Sequence, residues 1–179
     1  LLDSKHIKNI FWKFSKDGDC ILDIGCGDCA FFDSLVSDRK GEFHAFDINA
    51  DALILAKNKG YVAHKDLHID KQFDAIVMME IFEHLDVAGR ISMAEKINKL
   101  LKPSGILFMT FPHVKSFLSV ANYFDNLEHK APYVKENAVL TIFEGKDLHK
   151  ALLDHYQTPN LLNNNEECLY QSLQAFCFL

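Results

Sequence analysis

At 179 residues, 49% of them hydrophobic and 25% charged, the chain is long enough to bury one ordinary globular core. Its net charge of −6 lacks the basic face that a nucleic-acid backbone needs, which disfavours a nucleic-acid partner and leaves only a short RNA end or loop open. No run of eighteen apolar residues reads as a membrane span, and five cysteines, an odd number without an export signal, predict a reduced, cytoplasmic setting.

The apolar runs Cys20–Ile24, Glu42–Phe46, Tyr61–His64, Phe73–Met79 and Gly105–Phe111 read as buried strands. Helices are expected between them. Ala30–Val36 follows the first strand; Asn49 is a good N-cap for a helix through Lys57, with Gly60 as its stop. From Arg90 to Leu101, apolar residues recur at three and four, and Pro103 and Gly105 end that helix. Strand alternating with helix predicts parallel crossovers: an α/β, doubly wound, mostly parallel sheet in three layers. Residues 113–145, rich in aromatics, are expected to form a substrate cap, and Lys146–Tyr156 a last helix. The tail, Gln157–Leu179, with its apolar run Ala175–Leu179, suits antiparallel closing strands at the sheet edge. One domain over 1–179 is expected, although the chain opens on Leu1 rather than Met, which leaves room for residues upstream.

The first strand runs straight into a tight turn, Asp23-Ile24-Gly25-Cys26-Gly27-Asp28-Cys29-Ala30, at the place where open α/β sheets bind their ligand. Gly25, Gly27 and Ala30 also satisfy the spacing of dinucleotide folds, so glycines alone leave an NAD-dependent dehydrogenase open. Charge separates the two. A pyrophosphate wants bare N–H groups, whereas Asp23 and Asp28 flank this turn and suit a cofactor carrying a sulfonium and an ammonium. Asp47, ending the second strand, is placed to take both ribose hydroxyls; Asp66, after the third, is within reach of an adenine amino group.

These residues resemble the class I S-adenosylmethionine-dependent methyltransferases: an acidic-x-Gly-x-Gly loop, an acid ending strand two and an acid after strand three. Phe73-Asp74-Ala75-Ile76-Val77 and Leu101-Lys102-Pro103-Ser104-Gly105-Ile106-Leu107 are similar to the same family. The resemblance implies a Rossmann-like fold with S-adenosyl-L-methionine as cofactor. It implies that Asp23 contacts the methionine end, that the Gly25-Cys26-Gly27 backbone lies under the cofactor, that Asp47 holds the ribose and that Asp66 with Leu67 reads the adenine. Ile48, Met79 and Glu80 complete the expected cofactor set. Cys29 departs from the family, which usually has a third glycine there.

After Met79 comes Glu80-Ile81-Phe82-Glu83-His84, at the edge facing the cofactor. Were this segment to start a helix, Glu80, Glu83 and His84 would share one face, as a general-base pair or a divalent-metal site. The pattern resembles that of ubiquinone-pathway O-methyltransferases and of enzymes methylating the 2′-hydroxyl at small-RNA 3′ ends, where it implies a metal. His84 and Glu83 are the expected catalytic residues; Glu80, Glu83, His84 and His113 are the candidate ligands should a metal take part, and none is expected as the main reading. The partner expected is a small-molecule acceptor with a reacting oxygen or nitrogen. A non-catalytic, cofactor-binding regulatory subunit of the same fold is the alternative from another class.

Overall fold

The computed structural model describes residues 4–112, 128–130, 150–159 and 170–178. In chain order the elements are α1 (Ser4–Phe11), β1 (Cys20–Ile24), α2 (Ala30–Val36), β2 (Glu42–Phe46), α3 (Ala50–Asn58), β3 (Val62–His64), β4 (Phe73–Met79), a 3-10 turn at Phe82–His84, α4 (Val87–Leu100), β5 (Leu101–Pro112), β6 (Lys150–Pro159) and β7 (Tyr170–Phe178). They form a seven-stranded sheet in the order β3-β2-β1-β4-β5-β7-β6. β1 to β5 are parallel, and β7 runs antiparallel against both β5 and β6. The strand order reverses between β1 and β4, so the crevice beyond their C-terminal ends is where this architecture receives a ligand.

Both faces of the central strands are apolar because helices cover both. On one face Ile21, Ala45, Ala75, Val77, Ile106 and Phe108 meet Ile7, Ile10 and Phe11 of α1, Phe32 and Leu35 of α2, and Ala52 and Ala56 of α3. On the other, Leu22, Ile24, Ile76, Met78, Leu107 and Met109 meet Ala94, Ile97 and Leu100 of α4. α3 begins as its sequence predicts, with the Asn49 side chain accepting from the Asp51 amide at 2.9 Å. α4 starts three residues earlier than periodicity suggested, because Asp86 caps it by accepting from Gly89 N at 2.7 Å.

Two expectations are corrected. Residues 150–156, expected within a helix, lie in β6, which pairs with β7 from Lys150↔Phe178 to Pro159↔Tyr170; residues 146–149 fall outside the described residues. Pairing with an apolar partner strand overrides a helical pattern only three turns long. The segment from Glu80 does not open an α-helix either. Glu80 takes φ +54°, and only a single 3-10 turn follows. The five strands expected from the apolar runs are all present, β5 starting at Leu101 with a register shift against β4 between Phe73 and Ala75. Among the described residues no helix is long and apolar enough to cross a membrane.

Candidate active site

The turn after β1 is tied to the end of β2: Gly25 N and Cys26 N both donate to Phe46 O, at 2.8 and 3.2 Å. Gly25 adopts φ +84° and Gly27 φ +49°. A Cβ on Gly25 would run into Ile81 Cδ1, so this glycine lets the Ile81 side chain of the β4 edge pack onto the turn. Gly27 has nothing within 4 Å of its Cβ direction, which leaves its backbone open to a ligand. Gly25→Ala is therefore expected to destabilise the protein by about 2–3 kcal/mol, through a left-handed Cβ and a clash with Ile81. Thermal denaturation checks it, with Tm falling by roughly 5–10 °C.

Cys29 stands at φ +62°, a conformation that asks for the glycine usual at this position. Its side chain is fully buried, in hydrogen-bond contact with the Cys26 thiol. Cys29 thus takes a backbone conformation that favours glycine while its sulfur is buried beneath the turn.

Two of the acids at the strand ends, Asp23 and Asp47, are brought close enough for the charge of one to act on the other. Asp23 is 2% exposed, and its Oδ1 has no hydrogen-bond partner. Burial first, and then the charge of Asp47, push its carboxyl from an ordinary 3.8 up to about 7. Asp47 accepts from Gly27 N at 2.9 Å and from Asn49 N at 2.8 Å, which fixes the carboxylate while leaving lone pairs toward the crevice. Asp28 Oδ1 accepts from Ala30 N at 3.0 Å. The nearby cation, Lys59, is engaged by Asp33 and by the Asp28 carbonyl. Asp23 and Asp47 lie close enough to repel one another, and a diphosphate entering here would meet both. Ile48, beside Asp47, is 96% exposed, an apolar side chain offered to solvent at the mouth of the crevice. Asp66 accepts from His68 N at 2.9 Å, and Leu67 is buried against the α4 face of the sheet.

On the β4 side, Glu80 N donates to Thr110 O at 3.0 Å, holding the end of β4 to β5. Burial raises the carboxyls of both Glu80 and Glu83; each lies in hydrogen-bond contact with the other, and repulsion from Glu80 raises Glu83 further. Thr110 at Glu80, and the Arg90 charge at Glu83, act in the opposite sense. Such a pair retains a proton near neutrality. Arg90, also buried, is fixed by its Nε donating to Phe82 O at 3.0 Å. His84 lies against His129, ring centroids 4.8 Å apart, and Lys130 N donates to Glu83 O at 3.1 Å. A piece of the expected cap therefore reaches the turn. The remainder of residues 113–145, His113 included, lies outside the described residues.

Glu83, His84 and His129 present ligand atoms within 4.8 Å of one another, a donor set suited to a divalent ion. Glu80 contacts Glu83 but is not part of this group. His129 carries no signal in the sequence, since nothing in its spacing ties it to His84. It also passed over Thr110, the one polar side chain near the end of an apolar strand, and Arg90, read only as the start of a helix.

A mostly parallel sheet whose first turn carries a pair of interacting carboxyls and is open over Gly27 is a Rossmann-like ligand-binding arrangement. Residues 22–107 match the model of a family described as a methyltransferase domain, which spans β1 to the middle of β5. The fold is shared with an S-adenosylmethionine-dependent methyltransferase from Archaeoglobus fulgidus (TM-score 0.74, 18% identity, covering 99% of this chain and 95% of that one). It is shared with another from Methanosarcina mazei (TM-score 0.72, 15% identity, covering 94% and 95%). A third is the magnesium protoporphyrin IX methyltransferase of Synechocystis, solved with bound SAH (TM-score 0.70, 14% identity, covering 98% and 82%). No curated protein matches the chain in sequence. The chain thus carries, over just under half of its length, a match to a methyltransferase-domain family, and it has the fold of S-adenosylmethionine-dependent methyltransferases.

Proposed function

We propose that the protein moves a methyl group from S-adenosylmethionine to an oxygen or nitrogen of a small molecule by direct displacement. The observation that carries this reading is the Asp23–Asp47 pair: a buried carboxyl with an unpartnered oxygen beside a second carboxylate, above an open glycine turn. That arrangement fits a cationic nucleoside. Asp23 would meet the methionine end, the Gly25–Gly27 backbone would lie beneath, Asp47 would hold the ribose hydroxyls, and Ile48 with Asp66 and Leu67 would enclose the base. Ile48 gains most, since a base stacked on it would cover an apolar side chain now in water. The cofactor supplies an activated methyl group, so the protein needs no nucleophile of its own; alignment of the reacting groups is its main contribution, about 7–11 kcal/mol.

His84 is assigned to hold or accept the acceptor's proton, with Glu83 beneath it in the same turn. Its loss is expected to hurt less than loss of the cofactor contacts: His84→Ala should lower kcat about 10²-fold with cofactor affinity unchanged. Steady-state kinetics with a methylated product checks this, and an unchanged kcat would remove His84 from that role. Net charge −6 supports a small molecule over nucleic acid, and one structural relative is named for the small molecule magnesium protoporphyrin IX. The cytoplasmic setting belongs to the same proposal and rests on the odd cysteine count. A metal-assisted version has the convergence of Glu83, His84 and His129 in its favour. Activity that survives both chelator and Glu83→Ala would dismiss it.

A further inference from the structure

The opposite edge of the sheet from the glycine turn carries a second cluster that methyl transfer does not use. Cys20 opens β1 and Glu42 opens β2, and the two are register partners. His44 lies two residues along β2, on the same face. The Cys20 sulfur, a Glu42 carboxylate oxygen and a His44 ring nitrogen all lie within 4.8 Å of one another. Cys20 and His44 are buried and Glu42 is exposed, which gives the cluster an opening to solvent.

The His44 ring is held from both sides. Its Nε2 is 2.8 Å from Glu42 Oε1, and its Nδ1 is 2.7 Å from His64 Nε2. An imidazole fixed through its second nitrogen is the arrangement that orients metal-bound histidines. Helices α1 to α3 pack on the other face of β2, and α4 packs over β4 and β5. Among the described residues no helix closes this face of β2 and β3, because the chain passes from β3 to β4 without one.

We propose that Cys20, Glu42 and His44 bind one divalent transition-metal ion of Zn²⁺ type, with water as the fourth ligand and His64 as the group orienting His44. Thiolate, imidazole and carboxylate together are a zinc donor set rather than one for magnesium or calcium. On binding, the Cys20 sulfur forms its bond to the ion and releases its proton to solvent. The ion would tie the starts of β1 and β2 together; it is structural, far from the reacting edge.

Lys71 is the competitor. Its Nζ lies 2.6 Å from Glu42 Oε2 and in hydrogen-bond contact with Cys20, so a cation of the chain's own stands where the metal ion would enter. The Lys71 side chain is 36% exposed and has solvent to turn into. Removing it should tighten metal binding, while removing either buried ligand should abolish it.

The test is Co²⁺ titration of the purified full chain, because only a thiolate site produces the sulfur-to-cobalt charge-transfer band; the Glu83, His84 and His129 group contains no sulfur. The expected result is a band that saturates at one ion per chain, is displaced by Zn²⁺, disappears in Cys20→Ser and saturates at least about tenfold more tightly in Lys71→Met. No band in the wild-type protein would overturn the proposal. So would a band that survives Cys20→Ser, since another of the five cysteines would then hold the ion. Circular dichroism establishes that Cys20→Ser is folded. If it is not, His44→Gln decides: unchanged cobalt affinity in that variant overturns the assignment, and loss of the band upholds it.

Discussion

Asp47→Ala is expected to weaken binding of S-adenosylmethionine and of its demethylated product by about 10²–10³-fold. The carboxylate is fixed by the Gly27 and Asn49 amides, so it meets the ribose hydroxyls without having to be ordered at that moment. Two hydrogen bonds to a charged acceptor are each worth about 1.5–3 kcal/mol, and the lower end applies at a half-open crevice. Truncation also removes the anchor of the glycine turn, at about 1 kcal/mol of stability. Asp47→Asn retains one acceptor oxygen and should lose only about tenfold. Calorimetric titration of the three proteins checks the series, and equal affinities would show that the ribose is held elsewhere.

Asp23→Asn should separate stability from binding. Asp23 stands at about 7 in the folded protein, against an ordinary 3.8, because burial and the Asp47 charge oppose its ionised form. A carboxyl raised in this way costs nothing at a pH below about 4, where it is protonated folded or unfolded. The cost grows as pH rises between the two values, and above about 7 it reaches roughly 4 kcal/mol. Asparagine removes that cost but buries an amide lacking its full set of partners, at about 1–2 kcal/mol. At pH 8 the variant without ligand should therefore melt higher by roughly 4–8 °C, an advantage that vanishes toward pH 4. The same variant should bind cofactor about 10²-fold more weakly, having lost the charge that meets the methionine end. Melting curves across pH read the first effect and titration reads the second. A variant less stable at pH 8 would mean that Asp23 is satisfied by a partner within the fold.

Such a trade is common at sites built for a ligand, where a group unfavourable in the free protein is relieved on binding. The placement of the acids at the glycine-turn edge was legible in the sequence. Asp23 lies near the end of the first strand and Asp47 and Asp66 just past the next two, and a parallel sheet puts the ends of its strands on one edge. Once the apolar runs had fixed the strands, the position of the acids followed without long-range information. Cys29 was legible as a departure from the family, but only the backbone shows that its positive φ preserves the turn.

The reacting edge was harder to read. Glu80, Glu83 and His84 at helical spacing suggested a continuous face, yet Glu80 sits at φ +54° and the following turn is 3-10. Close approach of Glu80 to Glu83 comes instead from the bend, with Ile81 packed over Gly25. His129 lies 45 positions beyond His84, with α4 and β5 between them, so no local pattern announces the contact. The helix expected at 146–156 failed for a related reason. Leu152, Leu153 and Tyr156 satisfy a helical stripe, but β7 offers their backbone a full antiparallel ladder, and tertiary pairing decides between the two.

Titration of the purified protein with S-adenosylhomocysteine, and separately with NAD⁺, tests most directly whether the paired carboxyls at the glycine turn select a cationic nucleoside family over a diphosphate. Saturable one-site binding of the nucleoside, competed by S-adenosylmethionine and absent for NAD⁺, is the predicted result. Binding of NAD⁺ with no response to the nucleoside would contradict it.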